Sequence, residues 1–201
     1  TNPAHEAMKL LHRRTIAGRQ VVGRGLPVSF GRFPDIAADL LHELDPSAVI
    51  SLGLWPGESM IRIERIAVNI PDNEGVRAVD QLVEADGAAA LMSTLPVRAM
   101  QSAILQDGIP ASLSATAGTY LCNICLYSFL QAAQRHHQPV ACGFIHVPYL
   151  PEQVADLLVA TREQASLELH QRCDFASMSL ERIVRAVEIA ISQCVHEIPT
   201  N

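Results

Sequence analysis

Two almost wholly apolar runs constrain the fold of this chain most: AVISLGL at 48–54 and PVACGFIHVPYL at 139–150. Each is too short to cross a membrane and has the length of one strand. Strands of parallel sheets read this way because helices cover both of their faces. The two runs therefore predict buried parallel strands at the centre of an α/β fold.

The rest of the sequence alternates between helical and extended patterns. Apolar residues at helical spacing predict helices over 3–13, 35–44, 97–107, 119–135 and 180–196. β-branched or alternating stretches predict strands over 20–30, 60–68 and 111–115. This alternation indicates a three-layer α/β/α sandwich with a twisted, mainly parallel central sheet. We expect a single domain over 1–201.

Composition narrows the class of protein. The chain has 201 residues, 49% of them hydrophobic, and a net charge of −6 with scattered basic residues. These values predict a globular protein that binds neither nucleic acid nor membranes, because a phosphate backbone attracts clustered Lys and Arg. Five cysteines without a disulfide spacing favour a reducing compartment, so we expect a cytoplasmic location.

The pair Cys122-x-x-Cys125 allows three interpretations: half of a zinc site, a redox couple, or one working cysteine beside a structural one. A zinc site needs a second ligand pair, but Cys142 lies within a strand and His136-His137 lie in a polar turn. A thioredoxin-like pair usually follows the first strand of its domain, whereas this one lies past mid-chain. The zinc and redox interpretations are therefore weakened, and we expect no metal or cofactor.

Cys122, His146 and Glu64 form the candidate site because each lies near a predicted strand end or helix start. A thiol in the first turn of a helix faces the positive end of the helix dipole, which predicts a lowered pKa. His146 closes an apolar strand, and Glu64 is a carboxylate among isoleucines that needs a partner. Together they supply a nucleophile, a base and an orienting acid.

Structural alternatives to this site remain open. Free cysteines are often buried packing residues, and a histidine at a strand end is often a satisfied core residue. The partner of Glu64 could be Arg62 or Arg65 in place of an imidazole.

Several stretches resemble the pyroglutamyl-peptidase I family, also called pyrrolidone-carboxylate peptidases. They stand in one order along the chain: IERIAVN (63–69), IPDNEG (70–75), STLPV (93–97), AGTYLCN (117–123), GFIHVPYLPEQ (143–153) and SMSLERIVRAVEIAI (177–191). The resemblance implies removal of an N-terminal pyroglutamyl residue from peptides by a metal-free Cys-His-Glu triad. It also implies an α/β sandwich and a soluble cytoplasmic homodimer or homotetramer.

Carried onto this sequence, the resemblance assigns catalysis to Glu64, Cys122 and His146. Ile70, Tyr120 and Leu121 match positions that wall the pyroglutamyl pocket. Cys125 matches no functional position, so the resemblance implies one working cysteine and one structural cysteine.

The chain also departs from the family pattern. The resemblance places Thr1 after the family's first strand and its F-x-P-F-G-G loop. Asn69 runs directly into Ile70, where the family has several residues that include an active-site arginine. Ala115 and Glu58 stand where Asn and Arg are common. The alternative function is therefore a catalytically impaired relative that binds pyroglutamyl ends or serves as an assembly subunit.

Overall fold

A computed structural model describes residues 2–71, 82–163 and 175–197. The helices are α1 (Pro3–Leu11), α2 (Phe33–Leu44), α3 (Val97–Gln106), α4 (Leu121–Arg135), α5 (Pro151–Glu163) and α6 (Leu180–Glu197), and a short 3-10 turn covers Phe30–Arg32. The strands are β1 (Thr15–Ile16), β2 (Arg19–Gln20), β3 (Ala48–Leu54), β4 (Ile61–Glu64), β5 (Ile66–Val68), β6 (Ala90–Met92), β7 (Ala111–Ser114) and β8 (Ala141–Val147).

Four strands form the central sheet in the order β3-β8-β4-β7. β3 runs parallel to β8, and β4 runs parallel to β7, but β4 and β8 pair antiparallel. Two of the three pairings are thus parallel, as the apolar runs predicted, and one reverses direction. β5 and β6 form a separate antiparallel pair, and β1 and β2 form a small hairpin.

Helices cover both faces of this sheet. On one face, α1, α3 and α6 pack on strand residues such as Ile61, Ile63 and Ile145. On the other face, α2 and α4 pack on Cys142 and Phe144 of β8. The α/β sandwich predicted from the alternating patterns is therefore confirmed.

Most predicted elements lie where the sequence placed them, and local signals explain their starts. The Asn2 side chain caps α1 by accepting a hydrogen bond from the backbone N–H of Ala4 at 2.9 Å, and Pro3 follows it as the first helical residue. β3 matches 48–54 in full, but it lies at the edge of the described sheet. Its residues are half-buried, so full burial was wrong for this strand.

The strand predicted over 20–30 is wrong. Only Gln20 of this range belongs to a strand, β2, which pairs with β1 in a two-residue hairpin because Ala17 and Gly18 adopt positive φ angles. The following segment lies against α1 instead of a strand, and the Gly23 N–H donates to Nδ1 of His12 at 3.1 Å. A side chain thus supplies one of the backbone hydrogen bonds that a neighbouring strand would otherwise supply.

Helix α5 and strand β6 were not predicted. Pro151 reads as a strand terminator, but in the structure it is the first residue of α5. The Gln153 side chain accepts a hydrogen bond from the Leu150 N–H at 3.0 Å, which is one half of a capping box. The spacing of Pro151 and Gln153 in the sequence could have predicted the start of this helix. None of the helices in the described ranges has the length and apolar character that a membrane span requires.

Candidate active site

Glu64 and His146 meet because of the antiparallel pairing of β4 and β8. Arg62 lies directly opposite His146, and Glu64 lies opposite Phe144. Glu64 and His146 are therefore diagonal neighbours on one face of the sheet, at a spacing that long side chains can bridge. The sequence placed both residues near the ends of predicted strands, and the antiparallel register is what brings their side chains together.

The contact between these two side chains determines which nitrogen of the imidazole faces the carboxylate. His146 Nδ1 lies 2.8 Å from Glu64 Oε1, and both residues are fully buried. A carboxylate oxygen accepts, so Nδ1 carries the proton and Nε2 keeps its lone pair. Nε2 is buried and has no hydrogen-bond partner among the described residues. The imidazole therefore offers a free base on the side opposite Glu64.

Cys122 is the second residue of α4 and lies next to this base. A Cβ atom added to Gly53 would lie 3.0 Å from Cys122 Sγ and 2.7 Å from Phe144 Cζ. Gly53 is the ladder partner of His146 in the β3–β8 pairing. Paired residues of adjacent strands project to the same face, so Sγ occupies the space beside the imidazole that a Gly53 side chain would take.

The pKa of Cys122 corrects one expectation from the sequence. Burial raises the pKa of the Cys122 thiol to about 11, and the nearby Glu64 carboxylate adds to the rise. The backbone N–H of Cys122 opposes this rise, as a helix start should, but it is the smaller effect. The predicted lowering of the pKa is therefore wrong, because desolvation of the thiolate outweighs the helix start.

Arg62 is a second partner of the buried carboxylate. Its Nε lies 2.9 Å from the same Glu64 oxygen that binds His146. Its guanidinium also donates to the Thr116 carbonyl at 2.7 Å and lies 4.1 Å from the centroid of the Trp55 ring. The sequence offered three possible partners for Glu64. The carboxylate contacts two of them, Arg62 and the His146 imidazole. The third, Arg65, donates to the Ser114 carbonyl instead.

Two aromatic rings enclose His146 and were not singled out from the sequence. Trp55 meets the imidazole edge to face with centroids 4.9 Å apart, and Phe144 lies at 4.7 Å with tilted planes. These rings exclude water from the Glu64–His146 contact, which strengthens it. The tryptophan directly after β3 was the signal that could have been used.

Asn123 joins the start of α4 to strand β5. Its fully buried side chain accepts from the Val68 N–H at 2.8 Å and donates to the carbonyls of Val68 and Ile70 at 2.8 and 3.1 Å. The side-chain amide of Asn123 thus makes the hydrogen bonds that the backbone of a neighbouring strand would make with residues 68–70. The residue follows Cys122 directly, so the same bonds hold the turn that carries Cys122 in place.

The three predicted pocket residues lie around this turn. Tyr120 occupies the N-cap position of α4 and is partly exposed. Leu121 is the half-buried first residue of this helix, and Ile70 is half-exposed after β5. The bond from Asn123 to the Ile70 carbonyl brings the third residue to the other two. The structure therefore places all three beside Cys122.

Cys125 has the surroundings of a structural cysteine. It is buried, its Sγ lies 3.6 Å from Ser51 Oγ, and burial raises its pKa to about 12. In the described part of the chain, the group with metal-ligand spacing is Asp45, His136 and His137, which does not include the cysteine pair. His136 follows α4 at the far end, about 20 Å from Cys122 along the helix.

An α/β sandwich that holds a thiol beside a buried imidazole–carboxylate pair has the arrangement of a cysteine hydrolase. A sequence model of the pyroglutamyl peptidase family matches residues 1–197. The chain therefore belongs to the pyroglutamyl peptidase family, and its enzyme class is that of hydrolases of the pyroglutamyl-peptidase I type.

Individual relatives agree with this assignment. A pyrrolidone-carboxylate peptidase of Thermococcus litoralis is 40% identical over 195 residues, covering 94% of this chain and 84% of the relative. A solved pyrrolidone carboxyl peptidase of Pyrococcus furiosus superposes with a TM-score of 0.86 at 37% identity, covering 99% of this chain and 93% of that one. The pyroglutamyl peptidase I of Bacillus amyloliquefaciens superposes at 0.82 with 30% identity, covering 100% and 92%.

Proposed function

We propose that this protein removes N-terminal pyroglutamyl residues from peptides by thiol catalysis. Cys122 serves as nucleophile, His146 as base and Glu64 as the orienting acid. The observation that carries the proposal is the Glu64–His146 contact beside Cys122 in a chain that matches the family from 1 to 197.

The raised pKa of the Cys122 thiol sets how the reaction begins. With a pKa of about 11, Cys122 is neutral in the resting enzyme near pH 7. His146 Nε2 therefore takes the thiol proton as sulfur attacks the pyroglutamyl carbonyl carbon. The charge that develops on the imidazole is stabilised by the Glu64 carboxylate on its other nitrogen.

The remaining steps follow from the same groups. The attack leaves an oxyanion, which the backbone N–H groups at the start of α4 stabilise. The imidazolium then protonates the leaving amine, so the C–N bond breaks and a pyroglutamyl thioester remains on Cys122. Water, deprotonated by His146, attacks the thioester and releases 5-oxoproline and the free thiol.

The pocket explains selectivity for a lactam. Ile70, Tyr120 and Leu121 supply mostly apolar walls for the ring. The ring carbonyl and N–H then need backbone partners, and a proline residue lacks that carbonyl. A site built to bind a polar group rejects the analogue that lacks it, because its own buried group is left unpaired.

A reporter substrate tests the proposal. We expect hydrolysis of a pyroglutamyl amide and none of the matching prolyl amide. Cys122→Ala should abolish turnover, and Glu64→Gln should slow it by up to about 10⁴-fold. Absence of turnover in a protein with a reduced Cys122 would refute the enzyme and favour the impaired, binding-only relative.

Assembly and location belong to the same proposal. The family resemblance supports a homodimer or homotetramer, and the five cysteines without a disulfide spacing support a cytoplasmic location. Light scattering coupled to gel filtration measures the first, and cell fractionation measures the second. A monomer at micromolar concentration would contradict the assembly.

A further inference from the structure

Arg62 makes more contacts with the site than a surface arginine paired with one acid would make. We propose that it is a positioning residue that fixes the Glu64 carboxylate and ties it to the turn that carries Cys122. The inference rests on the proposed function, because it concerns the efficiency of the same Cys122–His146–Glu64 group.

The first step of the argument is the shared oxygen. Glu64 Oε1 lies 2.8 Å from His146 Nδ1 and 2.9 Å from Arg62 Nε. The other oxygen of this buried carboxylate has no hydrogen-bond partner among the described residues. One oxygen therefore receives both donors, and the guanidinium prevents the carboxylate from rotating away from the imidazole.

The second step is the charge that this geometry places beside Glu64. A buried carboxylate is costly without a charged or hydrogen-bonding partner. Arg62 is a permanent cation whose Nε lies 2.9 Å from Glu64 Oε1, the same oxygen that contacts His146. Arg62 therefore offsets the charge of the orienting acid at a position that water does not reach.

The third step is how the guanidinium itself is held. Nη2 donates to the Thr116 carbonyl, Nη1 lies 3.5 Å from Glu58 Oε2, and the plane lies over Trp55. Trp55 also contacts the edge of His146. Only a planar group with several donors can make these contacts together, so lysine is not equivalent.

The fourth step is where Thr116 lies. It belongs to the segment that follows β7 and precedes α4, whose second residue is Cys122. The bond from Arg62 to the Thr116 carbonyl therefore connects the acid on β4 with the segment that leads to the nucleophile. Displacement of this segment would move the thiol relative to the imidazole.

The charged and titratable groups around Glu64 in the described chain come from four elements. They are Arg62 on its own strand, His146 on β8, Glu58 in the loop before β4, and Cys122 on α4. β7 contributes Ser114 to this region and no charge. Removal of Arg62 leaves His146 as the one hydrogen-bond donor to this carboxylate among the described residues.

The test compares Arg62→Gln and Arg62→Lys with the wild type and with Arg185→Gln. Arg185 binds Asp107 with two hydrogen bonds between α6 and α3, on the opposite face of the sheet, and so controls for loss of an arginine–carboxylate pair. Turnover of a pyroglutamyl amide is measured from acid to alkaline pH. The alkylation rate of Cys122 over the same range gives a second readout that needs no turnover.

We expect Arg62→Gln to lower kcat about tenfold to a hundredfold with little change in KM, as loss of a charge-assisted hydrogen bond implies. The alkylation rate of Cys122 should change in the same variant, because the bond from Arg62 to the segment that leads to the thiol is lost. Arg62→Lys should lie between it and the wild type, and Arg185→Gln should match the wild type. If Arg62→Gln does not fold, the lysine variant decides the question by the same two measurements.

Two outcomes would separate this inference from the proposed function. An inactive wild type would refute the function itself. An active wild type whose Arg62→Gln variant keeps both kcat and the alkylation rate of Cys122 would refute only the positioning role. A fall in kcat with an unchanged alkylation rate and an equal fall in Arg185→Gln would indicate a merely structural effect and would also overturn it.

Discussion

A missing side chain is as important to this site as the side chains that line it. Gly53 has no side chain, and Cys122 Sγ lies in the space that is left free. His146, which pairs with Gly53 on the neighbouring strand, lies beside this space. A glycine inside a strand often marks a close approach of another group, and AVISLGL contains one. The sequence held this signal, but the group that approaches could not be identified without the sheet order.

Substitution of Gly53 by alanine tests this close approach. The added Cβ would contact Sγ at 3.0 Å and Phe144 Cζ at 2.7 Å, so one of them must move. We expect Gly53→Ala to lower kcat about a hundredfold, because small displacements of reacting groups have effects of this size. Gly31→Ala is the control, since its added Cβ meets nothing within 4 Å. Equal activity of both variants would contradict the placement of Sγ.

The cysteines differ in environment, and limited alkylation measures that difference. Cys122 is half-buried with a pKa of about 11, whereas burial raises the pKa of Cys125, Cys142 and Cys194 to about 12. We expect iodoacetamide at mildly alkaline pH to label Cys122 before these three, because the thiolate is the reactive form. Cys173 lies outside the described residues. Peptide mapping that finds Cys125 labelled first would reverse the assignment.

The residues of the candidate triad could be chosen from the sequence because chemistry limits the choice. A thiol at a helix start, a histidine at a strand end and a lone carboxylate among isoleucines are each unusual locally. Their contacts with Arg62 and Trp55 could not be chosen in this way. Such contacts depend on which strands are neighbours and in which register, and no local pattern encodes that.

At the scale of elements, Asn123 connects α4 to β5 through three backbone hydrogen bonds. Asn123→Ala would leave partly buried backbone groups of Val68 without these partners, at up to about 1–3 kcal/mol for each group. We expect a clear loss of stability together with reduced kcat, because the first turn of α4 also carries Cys122. Chemical denaturation and reporter turnover measure the two effects.

Asn2→Ala provides a matched control for this variant. It also removes an asparagine side chain that bonds to backbone, but this one caps α1 at the other face of the sheet. We expect a loss of about 1 kcal/mol and unchanged kcat. If Asn123→Ala behaves in the same way, the connection between α4 and β5 has no catalytic importance.

The positions of every described helix except α5 were predictable because apolar spacing and caps are local properties. β3, α3 and α6 follow the sequence closely. The extent of β2 and the direction of β4 were not predictable. The first depends on positive φ angles at Ala17 and Gly18 and on contacts with α1, and the second on the pairing of distant strands.

At the scale of the whole molecule, the buried thiols predict lower stability at alkaline pH. The pKa values of Cys125 and Cys142 are about 12 in the folded protein, against an ordinary value of 9.0. The folded chain therefore keeps protons that the unfolded chain loses as pH rises above 9. Below pH 9 these thiols do not lower the free energy of unfolding. As pH rises from 9 toward 12, each thiol lowers it by about 1.4 kcal/mol for each pH unit.

Denaturation of the reduced protein at several pH values checks this expectation. The free energy of unfolding should fall between pH 9 and pH 11, and the fall should be smaller in Cys142→Ala than in the wild type. The alanine variant is less stable at every pH because it leaves a cavity, so the comparison uses the slope and not the absolute value. A slope that is equal in both proteins would contradict burial of this thiol.

The covalent intermediate tests the central claim most directly. Wild-type protein mixed with a pyroglutamyl amide is quenched with acid within the first turnover, digested and mapped by mass spectrometry. The account predicts one pyroglutamyl group attached as a thioester to the peptide that contains Cys122, with none in Cys122→Ala. The group on Cys125, or full turnover by Cys122→Ala, would contradict it.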